Sequence, residues 1–94
     1  AARAELDQKA RRLSVVQPRL TSTLLRQTPA TVVVIFIVDE NGRVQDPKVQ
    51  RTTNPSFDRS ALSAIKQWKF EPAKVQGRSV SSRLRQSFSF ENST

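Results

Sequence analysis

Polar and apolar residues alternate through "VSSRLRQSFSF", residues 80–90. Val80, Leu84, Phe88 and Phe90 fall on one side of a strand, with Ser81, Arg83, Arg85, Ser87 and Ser89 on the other. Residues 31–38, "TVVVIFIV", are instead a continuous β-branched and aromatic run. This run meets Asp39-Glu40-Asn41-Gly42, where Asn-Gly supplies the positive φ angles that hairpin turns demand. The return strand, about Arg43–Gln50, is polar and carries Pro47, which suits a sheet edge or a bulge. Next, "NPSFDRSALSAIKQW" places Phe57, Ala61, Ala64, Ile65 and Trp68 at helical spacing, with Arg59, Lys66 and Gln67 outside, and predicts a helix over 56–68. Asn54 or Ser56 caps it and Asp58 favours its first turn. Glu71-Pro72 stops it, and an extended segment follows through Gln76-Gly77.

Upstream the signal is thinner. Residues 2–13 are rich in helix formers but place only Leu6, Ala10 and Leu13 on one face, so residues 1–14 read as a helical or flexible linker and 15–94 as the domain. Gln17-Pro18 interrupts the chain, and a short helix over Leu20–Arg26 ends at Pro29. The order is helix, strand, strand, helix, strand. The crossover through the second helix sets the third strand parallel to the second and antiparallel to the first. With the apolar first strand in the middle, an α+β fold results: a three-stranded antiparallel sheet, order 2-1-3, with helices packed on one face. The last strand then has one neighbour, and its outer row of amides and carbonyls is free. Phe57, Ala61, Ile65, Trp68 and Phe70 are expected in the core.

Ninety-four residues with 36% hydrophobic content allow one small domain. Cys, His and Met are absent, which removes disulfides, thiolate or imidazole metal sites and the commonest general base. The missing initiator Met predicts a piece of a longer chain. The serines at 79, 81, 82, 87 and 89 have no His to activate them. Gly42 and Gly77 alone make no phosphate-cradling loop, and Asp39, Glu40 and Asp46 read as turn chemistry rather than a cation loop. The expectation is a protein that is not an enzyme and uses no cofactor. A net charge of +8 favours acidic partners, whether nucleic acid, an anionic membrane surface or an acidic protein. The longest apolar run, Val32–Val38, falls far short of the roughly 20 residues that span a bilayer. Any membrane anchor is therefore expected elsewhere in the parent chain. A basic sheet that stacks bases needs aromatic residues on its open face, whereas Phe88 and Phe90 share a side with Val80 and Leu84.

The spacing of Val32, Val34, Phe36, Asp39, Gly42 and Val44, then Ala61, Trp68, Phe70, Pro72, Ala73, Gly77 and Val80, resembles the C-terminal domain of TonB, the periplasmic energy transducer of Gram-negative bacteria. The resemblance covers about residues 15–90. It implies an inner-membrane anchor associated with a proton-driven motor, and a periplasmic domain that grips the TonB box of outer-membrane transporters. The box adds as a strand beside the domain's last strand, and pulling on it opens the transporter to siderophores, haem or vitamin B12. The implied partner-binding residues are Val80, Ser81, Ser82, Arg83, Leu84, Arg85, Gln86 and Ser87, with Gln17, Pro18 and Arg19 nearby. Gln17 stands where the family usually has Tyr. The resemblance also turns Val32, Val34, Phe36 and Val38 toward the helices. Val33, Ile35 and Ile37 are left on the other face, to be covered by helix 2–13 or by a second copy in a homodimer, the preferred expectation. A TolA-like envelope scaffold and a basic nucleic-acid-binding module are the alternative readings.

Overall fold

The computed structural model of the chain describes residues 9–91. Its elements run β1 (Arg11–Ser14), α1 (Ser22–Leu25), β2 (Ala30–Val38), β3 (Val44–Thr52), a 3-10 turn (Pro55–Phe57), α2 (Asp58–Lys66), β4 (Lys69–Glu71), β5 (Ala73–Val75), β6 (Arg78–Val80) and β7 (Ser82–Phe90). The principal sheet is antiparallel with order β3-β2-β7, so the apolar strand is central and polar strands form both edges. Beside it lie two small pairs, β1 with β4 and β5 with β6.

The β2–β3 hairpin turns where Asp39 ties the chain to itself. Its Oδ1 accepts from the backbone N–H groups of Asn41 and Arg43, each at 2.9 Å, and its Oδ2 accepts from Gln45 Nε2 at 2.9 Å. Gly42, at φ +81°, completes the turn. A Cβ there would fall 2.0 Å from the Phe70 carbonyl oxygen, and the Gly42 carbonyl accepts from Phe70 N–H at 2.9 Å. Glycine is thus needed both for its backbone conformation and for the close approach of β4. The helix start is capped by Asn54, whose Oδ1 accepts from Ser56 N–H.

Even-numbered residues of β2 (Val32, Val34, Phe36, Val38) join Phe88 and Phe90 of β7 on one face, against Phe57, Ala61, Ile65, Trp68 and Phe70. Ring contacts knit this core: Phe57 with Phe90 at 4.9 Å, Phe36 with Phe70 at 5.6 Å, and Trp68 edge-on to Phe88 at 5.6 Å. The Trp68 indole also donates to the Val16 carbonyl at 2.9 Å, fastening the N-terminal segment to the body.

Several elements differ from the sequence expectation, among them α1, which spans only Ser22–Leu25 rather than Leu20–Arg26. Part of the helix expected over 2–13 lies outside the described residues. Within them, Arg11–Ser14 is a strand, because antiparallel pairing with β4 prevails over a weak local helix preference. The segment after Pro72 is a hairpin rather than a simple extended link. Gln76 and Gly77 both have positive φ, the geometry of a two-residue turn, and Ala73 pairs with Val80. Consequently Val80 belongs to β6, Ser81 lies between strands, and the last sheet strand begins at Ser82. The helix itself is shorter than 56–68, spanning Asp58–Lys66 after its 3-10 turn.

Candidate functional site

A sheet with two edges offers two rows of unpaired backbone groups, and here the two edges are built differently. β3 pairs with β2 through two register shifts, and Asp46 adopts φ +49° beside Pro47. Bulges and proline are the devices that disable an edge. β7 has neither. It pairs with β2 in nine consecutive steps, from Phe90 opposite Ala30 to Ser82 opposite Val38, with no shift. No described strand pairs with its outer edge. Along Ser82–Phe90 every second residue presents its N–H and C=O outward, in register for a further strand.

A groove of about 490 Å³ runs beside this edge. Phe36, Phe70 and Leu84 contribute its apolar lining, Arg85 and Gln86 one wall, and Ala10, Arg11 and Arg12 of the β1 segment the other. β1 is exposed throughout. It is held by its ladder with β4, by an ion pair from Arg11 Nη2 to Glu71 Oε2 at 2.7 Å, and by the Arg12 guanidinium 6.0 Å from the Trp68 ring. The edge thus joins backbone groups for strand addition, apolar surface for alternate side chains, and Arg12, Arg83 and Arg85 for acidic groups.

Of the residues expected at the partner surface, Ser82, Arg83, Leu84, Arg85, Gln86 and Ser87 lie together on β7, while Val80 and Ser81 precede it. Gln17 and Arg19 line a separate hollow against α2, with Arg59, Ser60, Ser63 and Gln67, and Pro18 lies between them in sequence. Arg11 and Arg12 are the neighbours of β7 that sequence reasoning missed. Their spacing carries no signal, since the groove forms only when residues 10–12 and 84–86 meet in the fold. All five phenylalanines and the one tryptophan are buried. The basic outer face of the sheet therefore carries no aromatic platform for nucleic-acid bases. Asp39 is occupied by its turn. Its carboxyl is held below the ordinary range, chiefly by the Arg43 backbone N–H and then by the Gln45 amide.

Comparison with known proteins gives three concordant results. The family described as Gram-negative bacterial TonB protein C-terminal matches residues 24–91. Protein TonB of Xanthomonas campestris pv. campestris, in each of two strains, is 36% identical over 55 residues, 57% of this chain. That alignment spans 25% of the length of those curated relatives. The solution structure of the Pseudomonas aeruginosa TonB C-terminal domain superposes with a TM-score of 0.74 at 24% identity, covering 94% of this chain and 91% of that one.

Proposed function

Because the chain belongs to the family of Gram-negative TonB C-terminal domains, we propose that it is the partner-gripping domain of a non-catalytic energy transducer. In this reading it captures the TonB box of an outer-membrane transporter as an added strand on the outer edge of β7. The remainder of the protein anchors it in the inner membrane and links it to a proton-driven motor. Among the described residues no helix is long and apolar enough to cross a membrane; in this reading the family's periplasmic placement applies to the domain. Pulling on the captured strand then opens the transporter to siderophores, haem or vitamin B12.

The observation that carries this reading is the asymmetry of the edges. One is bulged and proline-bearing, whereas the other is straight, nine residues long and flanked by an apolar groove. Each backbone hydrogen bond nets about 0.5–1.5 kcal/mol. Several of them give a grip that is firm when aligned yet reversible.

Two sets of N-methylated TonB-box peptides test it without altering the fold. In an added strand every second peptide N–H points at β7 and the others point away. Methylating the inward set is expected to weaken binding about tenfold or more, and methylating the outward set to leave it unchanged. Unmodified peptide should shift amide resonances of Ser82–Ser87 more than those of α2. Equal binding by both methylated sets would exclude strand addition.

A further inference from the structure

The face of the sheet opposite the helices shares Arg83 and Arg85 with the docking edge but extends away from it across β2 and β3. The pleat places Val33, Ile35 and Ile37 of β2 on that face. The register sets Arg51 and Ser87 beside Val33, Lys48 and Arg85 beside Ile35, and Gln45 and Arg83 beside Ile37. The aliphatic row is therefore bracketed by Lys48 and Arg51 on β3 and by Arg83 and Arg85 on β7, all four exposed. Val33 is only 6% exposed, and Ile35 and Ile37 are partly covered. The exposed apolar patch anticipated from the sequence is thus a recessed strip between cationic rows. A hollow of about 330 Å³ opens on it, lined by Ile35, Ile37, Lys48, Arg83 and one acid, Asp46.

We propose that this face seats the domain on an anionic phospholipid surface. The two cationic strands lie two interstrand spacings apart, about 9.6 Å. They therefore present a planar array rather than a single line of charge. A planar array is matched by a planar layer of phosphates, while a single acidic strand would neutralise one row and leave the other. In the hollow, a lipid phosphate meets Lys48 and Arg83, and the methylenes next to it meet Ile35 and Ile37. A second copy of this chain is a poor occupant, because it would bring four cations against four, on a protein of net charge +8. Seating by the face leaves the β7 edge open, so membrane contact and strand capture are compatible.

Co-sedimentation of the whole chain with vesicles tests the proposal. Binding is expected with phosphatidylcholine vesicles containing phosphatidylglycerol, and absent with phosphatidylcholine alone. Lys48→Gln with Arg51→Gln removes cations from β3, away from the docking edge, and should weaken vesicle binding on the order of 30-fold. TonB-box peptide affinity should stay unchanged in that variant, so failure here is separable from failure of strand addition. Arg59→Gln with Lys66→Gln, on the exposed side of α2, is the charge-matched control and should lose only severalfold. Equal losses in the two variants would show a response to net charge and overturn the proposal. It would also be overturned if the β3 variant kept its vesicle binding while losing affinity for an oligoglutamate peptide, which would assign the face to an acidic protein.

Discussion

At the scale of single residues, Trp68 does two separable jobs. Its ring packs against Phe88 and Phe70, and its N–H reaches across to the Val16 carbonyl. Trp68→Ala removes both and is expected to cost about 3–5 kcal/mol, much of the stability of a small domain. Trp68→Phe keeps part of the apolar volume and loses the hydrogen bond, with an expected cost near the lower end of that range or below it. Urea midpoints of the two variants separate the contributions, and an unchanged midpoint for the alanine variant would deny Trp68 a place in the core. Asp39 makes a pH-dependent contribution. Its carboxyl is depressed in the folded state, so the stabilisation is fully present above the ordinary carboxylate range. It is lost as pH falls through the lower folded-state value. Asp39→Asn should therefore be less stable than the parent at neutral pH, with the gap narrowing as the solution is acidified. A gap constant down to pH 3 would contradict this.

Among elements, those with strong local chemistry were the ones readable in advance. Gly42 and the apolar run through Val38 mark the β2–β3 hairpin, although of the Asn-Gly pair only Gly42 takes positive φ and Asp39 ties the turn instead. The spacing of Phe57, Ala61 and Ile65 fixes the position of α2. The last strand was readable too, because Leu84, Phe88 and Phe90 keep a two-residue period. Its start was not, because Val80 satisfies the same period while pairing with Ala73 instead. Gln76 is not a residue type that advertises positive φ, so the β5–β6 turn gave no warning. The strand Arg11–Ser14 contains no β-branched residue and exists only through its partner, which no local pattern reveals. That dependence has a measurable result. β1 buries none of its residues and leaves Leu13 66% exposed, so its amides are expected to exchange with solvent deuterium well before those of β2. Protection of β1 matching that of β2 would show it to be an integral part of the body.

For the whole molecule, charge and architecture divide the labour. The aromatic core lies on one side of the sheet, four exposed cations lie on the other, and the straight edge lies between them. The edge was legible in the sequence because it follows from strand order alone. The groove beside it was not, since it joins residues about seventy positions apart. The attachment of β1 has a mechanical meaning as well. On the proposed function, tension arriving from the N-terminal side would reach first the short β1–β4 pairing, at its Arg11–Glu71 end. The Trp68–Val16 anchor comes next, and only behind it stands the nine-step β2–β7 ladder. The short β1–β4 pairing would then stand as a neck ahead of the longer ladder. Under a rising pull the weaker pairing in that series would open first, adding a small extension before the ladder that holds the captured strand gives way.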